Sequence, residues 1–407
     1  MNSKNNIRAA ALCGIAVFIY LVVSFVLYRS QEINGWVGLW YGVDYSIGFS
    51  SRLFIGTLLH GLFGEVITVQ AANSFINVCF IVIFVMFSYV VSSAIYVSES
   101  NEKRIGIAYI VLLFLTSPAS FGYLWTEENM GRLETYLVLI SLLMVLCAML
   151  IKQEWLLVCL LAIMGIIALA IHQVYLLIFF PIVVAIILNV VFKSGNNRKI
   201  LAGFVSIILL GVVGLFFQFG TSIVFDNPLD LQTYIQNRTE LYVADGPIEQ
   251  EYFWQFKDHY VNNYLPQAYE RAKYGFMTVV LLTPIWVILS QIWVDVFKST
   301  KERMLRIQYA LTLACNLSFV PAFVFLTDWG RWFAAFVVVQ VLILLYLFCK
   351  RDENVCYAIC KLGNRVVSYP LVFGVIILYL SLFEKFQGCN YLKQVVDLYH
   401  FAYNLIH

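Results

Sequence analysis

Charge is what this sequence has least of. Asp, Glu, Lys and Arg make up 12% of its 407 residues, against 61% hydrophobic, roughly half the charged share of an ordinary soluble domain. That shortage excludes a water-soluble fold. So much apolar surface cannot be hidden in a core, and the bilayer must act as its solvent. The net charge is +2 and no basic cluster occurs, so nothing points to nucleic acid as a partner. There is no Gly-rich phosphate loop, no repeat at a fixed period and no low-complexity tract. No serine stands in a nucleophile-elbow context, which leaves Ser-His-Asp catalysis unsupported. The nine cysteines are not placed as a disulfide framework. Cys13, Cys79, Cys147, Cys159, Cys315 and Cys349 lie inside or at the ends of apolar runs, where cysteine behaves as a small hydrophobe. Cys356 and Cys360, one helical turn apart near Arg351 and Lys361, make half a metal site, and no second pair follows at zinc spacing. Cys389 has no obvious partner.

What the chain has is long apolar runs. The first, 9–28, follows a short polar start carrying Lys4 and Arg8. It is too long for a signal-peptide core and no small-residue cleavage site follows, so it reads as a retained helix. Charged or turn-rich breaks leave eleven apolar segments: 9–28, 71–97, 105–125, 135–151, 156–171, 174–192, 200–219, 274–296, 307–326, 333–349 and 366–383. The mildest break is at His172 and Gln173. With the N-terminus inside, the inner segments hold 16 of the 26 basic residues and 7 of the 24 acids. The basic bias favours a cytoplasmic N-terminus, an odd number of spans and an outside C-terminus. The expected fold is therefore an all-α integral membrane protein, one polytopic domain over 1–407 with about eleven transmembrane helices. Two outer loops are long, 29–70 and 220–273. Within the first, 51–64 (SRLFIGTLLHGLFG) is amphipathic and too interrupted to span, and is expected to lie along the interface or to re-enter.

In this topology all five histidines fall on the outer side, together with charged clusters that abut span ends. Asp44 and Arg52 lie in 41–52 (YGVDYSIGFSSR); Glu127, Glu128, Arg132 and Glu134 in 126–134 (TEENMGRLE); Asp328 and Arg331 in 327–332 (TDWGRW); His172 ends the fifth span. Any one of these is accounted for as a solvated loop charge. Glu128 with Arg132, at i and i+4, and Asp328 with Arg331, at i and i+3, read equally as local ion pairs. The inner loops serve as a control: they are Lys-rich and lack aromatic neighbours. The outer ones set acids beside arginine among Trp and Tyr, and the arginine fork suits carboxylate or phosphate where lysine does not. Part of that aromatic enrichment is simply the interfacial belt.

Asp44 leads the candidates. Its sequence neighbourhood holds no basic residue until Arg52, and partial burial is expected to raise its pKa towards that of a general base for a sugar hydroxyl. A turn-capping aspartate accounts for it too. Arg52 is a phosphate ligand or a snorkelling interfacial arginine. His172 is a candidate acid/base or a structural helix-end histidine. Glu127, Glu128 and Asp328 can hold Mg²⁺ or Mn²⁺ through carboxylates. Trp254, with Tyr234, Tyr242 and Tyr260, can supply a sugar-stacking lid from the large loop.

An acid in the first outer loop, after an N-inside span and before an interfacial helix, is similar to the layout of GT-C glycosyltransferases. Those polytopic enzymes use polyprenyl-phosphate-linked sugars, and the resemblance puts Asp44 in the place of their base or metal-binding acid. The acidic pair usual in that family is replaced here by a single Asp44. The stretches DYSIGFSSRLFIG (44–56), SPASF (117–121), GRLETYL (131–137), IHQVY (171–175) and DWGRWF (328–333) resemble polytopic proteins of bacterial capsule and O-antigen clusters, the Wzy-type repeat-unit polymerases. That resemblance implies outer-face arginines holding the pyrophosphate of an undecaprenyl-linked chain, which here are Arg52, Arg132 and Arg331. It implies a bacterial inner-membrane enzyme facing the periplasm, with Asp44, His172, Glu127 and Asp328 as catalytic candidates and Glu134 orienting groups or binding sugar. A flippase and a polysaccharide chain-length regulator are the expected protein partners. A single-sugar GT-C transferase, a lipid-saccharide flippase and an acyltransferase stay open as alternatives.

Overall fold

The computed structural model describes residues 3–193, 196–244, 248, 252, 268–320, 329–386, 396–397, 400–401 and 403–404. Asp328 and Trp254, and Tyr260 of the expected lid, lie outside the described residues. The described chain is helical almost throughout: α1 (Ser3–Tyr28), α2 (Gly35–Gly42), α3 (Phe54–Phe63), α4 (Val69–Val97), α5 (Asn101–Thr116), α6 (Leu133–Leu150), α7 (Glu154–Ile171), α8 (Tyr175–Ile178), α9 (Phe180–Lys193), α10 (Asn197–Phe219), α11 (Pro228–Gln236), α12 (Ala268–Leu281), α13 (Thr283–Ser299), α14 (Arg303–Asn316), α15 (Trp329–Cys349), α16 (Glu353–Ser368) and α17 (Pro370–Ser381). Two strands of two residues each, β1 (Gly48–Phe49) and β2 (Ser222–Ile223), pair antiparallel.

Among the described residues seven helices are long and apolar enough to cross a membrane. The number is nine if α12 with α13, bent by 64°, and α16 with α17, bent by 99°, each make one span. This is the build of an all-α, multi-pass membrane protein. Each bend has a proline just inside its second helix, Pro284 and Pro370, where the missing N–H costs nothing. Segment 174–192 appears as the short α8 and α9, and α14 covers 307–316 of segment 307–326, whose residues 321–326 lie outside the described ones. Helix starts are set by side chains that accept from otherwise unpaired backbone N–H groups: Thr68 from Ala71, Ser100 from Lys103 and Asp352 from Val355.

Apolar side chains gain little by leaving lipid for protein, so close packing holds such a bundle. The helix α15 is its axis, with 89% of its apolar window buried, while α10 has 22% and lies at the edge. Against α4, the α1 helix comes close enough that a methyl on Gly14 would meet Ser92 Cβ at 3.0 Å. Ser92 Oγ donates to the Ala10 carbonyl at 3.0 Å. Phe25, Phe80, Phe84 and Trp125 form an edge-to-face knot with centroids 5.0 to 6.2 Å apart.

The ends of the bundle differ. At one, Asp295 of α13 is paired with Lys361 and Arg365 of α16, Glu154 with Lys199, and Tyr309 with Asp352. At the other, 29–69 and 220–244 fold together as a cap. Besides the β1–β2 pair, Ile67 N–H donates to the Arg238 carbonyl at 2.9 Å and Glu240 N–H to the Ile67 carbonyl at 3.0 Å. The expected interfacial element in 51–64 is the ten-residue α3, about 15 Å long and too short to span. Beside the cap the chain after α17 returns to the end of α5. Lys385 Nζ donates to the carbonyls of Leu115, Thr116 and Ser117 at 3.1, 3.3 and 2.6 Å. These are the acceptors a helix leaves unpaired at its C-terminus. Thr126 Oγ1 and Asn129 Nδ2 both donate to the Phe386 carbonyl at 3.3 Å.

Candidate functional site

Glycine decides the approach of Arg132. Gly131 has φ of +81°, a left-handed conformation that costs a side chain dearly. Its carbonyl accepts from Tyr41 Oη at 2.7 Å, and Tyr41 Oη also meets Tyr136 Oη at 2.6 Å. The turn therefore has its exit pinned to α2 on one side and α6 on the other. Arg132 follows at the N-cap of α6, buried, with Nε donating to the Glu128 carbonyl at 2.7 Å.

Two residues on, Glu134 pairs with Arg331 in the first turn of α15. Their side chains are 5% and 7% exposed. Charges so deep beside spans are costly unless paired and hydrogen-bonded. Glu134 Oε1 takes the bond from Arg331 Nη1, whereas Glu134 Oε2 is buried with no hydrogen-bond partner among the described residues. The fully buried Tyr123 lies within electrostatic reach of both charges, and its Oη is also without a partner there.

Asp44 caps the single 3₁₀ turn Tyr45–Ile47, accepting from Ser46 N–H at 2.9 Å and from Ser46 Oγ at 2.5 Å. Its other oxygen is ion-paired with Arg238 of the large loop. Tyr234 Oη reaches Asp44 at 3.4 Å and Ser46 Oγ at 2.7 Å, and the Arg238 guanidinium stands 5.0 Å from the Tyr234 ring centre. The sequence reading expected burial to raise this carboxyl's pKa. Burial does push it up, but the Ser46 hydrogen bonds and the Arg238 and His60 charges outweigh it and hold it below the ordinary value. Both the turn-capping role and a charged partner, which the sequence neighbourhood did not show, are therefore present.

A carboxyl depressed in the folded state stabilises above the unfolded pKa of about 3.9. That contribution is lost as pH falls through the folded value. Asp44→Asn is thus expected to lower amide protection in 44–49 and 222–224 at neutral pH, and the deficit is expected to be smaller at acid pH, below about 3.9. Hydrogen–deuterium exchange measures this, and a deficit of the same size at both pH values would count against the ion pair as its source.

A third group joins the cap to α7. Arg52, at φ +77°, donates its backbone N–H to the Ala170 carbonyl at 2.9 Å. Ser51 Oγ donates to Gln173 Oε1, which lies 3.1 Å from His172 Nδ1. The mild break at His172 is where α7 ends, with His172 as its buried C-cap.

The chain brings Glu134 together with Arg331, and Arg52 with the end of α7 beside His172. Asp44 pairs with neither group but with Arg238, within the cap. Glu127 is exposed and Glu128 half-buried. Among the described residues no three His, Cys, Asp or Glu groups converge as metal ligands, and Asp328, the third member of the proposed carboxylate set, lies outside them. Arg238 and Tyr123 are functional candidates that the sequence reading passed over. Arg238 is remote from Asp44 by 194 positions and sits in a loop chosen for its aromatics. Tyr123 was absorbed into an apolar run. Compared with protein-family models, with curated proteins and with solved structures, the chain matches none.

Proposed function

We propose that the chain is a membrane glycosyltransferase that takes undecaprenyl-(pyro)phosphate-linked saccharides at the outer face of a bacterial inner membrane and joins repeat units of a surface polysaccharide. The observation that carries the reading is the placing of arginines. Arg132 and Arg331 stand buried in the opening turns of two neighbouring helices at the capped end, and Arg52 and Arg238 lie in the cap itself. Helix starts carry partial positive charge, and guanidinium forks suit a pyrophosphate leaving group, whose charge grows as the glycosidic bond breaks. A capped end on a multi-pass bundle suits a substrate whose lipid stays in the bilayer while its saccharide reaches water.

In this reading the eleven apolar segments are eleven spans, the two bent pairs counting once each and α9 and α14 completing the number. The end bearing Lys199, Lys361 and Arg365 is cytoplasmic. The cap and the C-terminus are then outside. Arg52, Arg132 and Arg331 hold the pyrophosphate, His172 and Glu127 orient groups around it, and the large loop, with Trp254, covers the saccharide. Mg²⁺ or Mn²⁺ is not needed where arginines carry the leaving-group charge.

The test is deletion of the gene in its source strain, with return of the wild-type chain or of Arg132→Ala at matched protein level. The polymerase reading expects the ladder of long chains to vanish on deletion, return with wild type, and stay missing with Arg132→Ala. Loss of one sugar from an otherwise complete glycan would instead mark a decorating GT-C transferase. An unchanged glycan after deletion would sink both.

A further inference from the structure

The transfer proposed above needs a base, and the two acids best placed for it differ in one respect. Asp44 spends both carboxylate oxygens on Ser46 and Arg238, and its proton affinity is lowered. Such a carboxylate is anchored rather than available. Glu134 spends one oxygen on Arg331 and leaves Oε2 without a hydrogen-bond partner among the described residues. A buried unpartnered carboxylate oxygen is rare, because its desolvation is uncompensated. The nearby Tyr123 hydroxyl is in the same condition. An acceptor and a hydroxyl, both unsatisfied among the described residues, the first ion-paired with the Arg331 guanidinium and the second within its electrostatic reach, match what a substrate hydroxyl offers: one proton to give and lone pairs to receive a hydrogen bond. Arg331 and Arg132 each keep 7% of their surface exposed, and an acceptor hydroxyl would have to enter past them to reach the enclosed Oε2.

We propose that Glu134 is the general base of the transfer, its Oε2 taking the proton of the acceptor-sugar hydroxyl while Tyr123 Oη holds that hydroxyl's oxygen. The assignment rests on the glycosyl-transfer reading. The acceptor oxygen forms its bond to the anomeric carbon of the lipid-linked donor. The bond from that carbon to the pyrophosphate oxygen breaks, and the electron pair leaves with the pyrophosphate. The acceptor's proton ends on Glu134 and passes to water after release. Arg331 holds the Glu134 carboxylate by its other oxygen, fixing the direction of Oε2. Asp44 becomes the clasp of the cap.

The experiment uses the full chain in proteoliposomes with undecaprenyl-diphosphate-linked saccharides extracted from the source strain, and reads release of undecaprenyl diphosphate. Glu134→Gln is expected to lower kcat by about a hundredfold or more with little change in KM, and to abolish the acid-side fall of the rate with pH. Asp44→Asn is expected to keep that acid limb. Tyr123→Phe, which leaves both charges in place, is expected to lose about tenfold. Glu134→Asp keeps the charge beside Arg331 while withdrawing the carboxylate oxygen, and is expected to lower kcat in the same direction should Glu134→Gln alone not accumulate. A wild-type rate and pH profile in either Glu134 variant would overturn the base assignment while the transfer reading stood. Absence of release by the wild-type chain would overturn the transfer reading and the base with it.

Discussion

Arg331→Met is expected to destabilise the protein by about 3–5 kcal/mol, because it strands the buried Glu134 carboxylate without a counter-charge. Glu134→Gln in the same chain is expected to recover most of that loss. The reason lies in the depth of the pair, whose side chains are 7% and 5% exposed. At that depth each charge has lost most of its water and neither can be screened. Removing one leaves the full desolvation penalty of the other, whereas removing both leaves two groups of similar volume at the junction of α6 and α15. Denaturant or thermal unfolding in mixed micelles measures the cycle. Additive losses in the double variant, or none in the single one, would mean that the two side chains are not coupled.

Gly56→Ala is expected to be the other large loss, about 3 kcal/mol, at the top of the range for overpacked sites. A methyl there would stand 1.7 Å from the Val43 carbonyl oxygen and 2.9 Å from that of Trp40. Both obstacles are backbone, so no rotamer change relieves them, and α3 would have to lift from α2. Gly61 in the same helix is the control. A methyl there meets nothing within 4 Å, so Gly61→Ala is expected to be neutral or to stabilise by about 0.5–1 kcal/mol through helix propensity. Equal behaviour of the two variants in unfolding, or in protease cleavage of the cap, would show that α3 is not seated as described.

Apolar run length carried the helices, because a span needs a continuous stretch and charges mark its ends. The bends at Pro284 and Pro370 and the separate α16 were less legible, since an amphipathic helix beside a span blurs its boundary. At the site the outcome follows sequence distance. Arg132 and Glu134 were readable as a cluster, being two positions apart. The partner of Glu134, however, is Arg331 and not Arg132, and the partner of Asp44 is Arg238 rather than anything near it. Only the return of the chain to the same end of the bundle sets these side by side, and no local pattern encodes that. The misjudged direction of the Asp44 pKa has the same origin. Burial was foreseeable from the aromatic surroundings, while the opposing guanidinium came from the far loop.

The lysine behind α17 has a consequence for how the chain tolerates loss of its tail. Lys385 and Phe386 supply a donor and an acceptor, respectively, beneath the 117–129 turn, and Gly122 lies so near that an added methyl would meet the Lys385 stem at 2.9 Å. A premature stop after Phe383 would remove none of the helices α1 to α17. It would still expose three carbonyls at the end of α5 and take the keystone from under the turn that leads to Arg132 and Glu134. Nonsense alleles at codons 384–386 should therefore behave as site mutations, yielding protein that inserts and accumulates yet does no work.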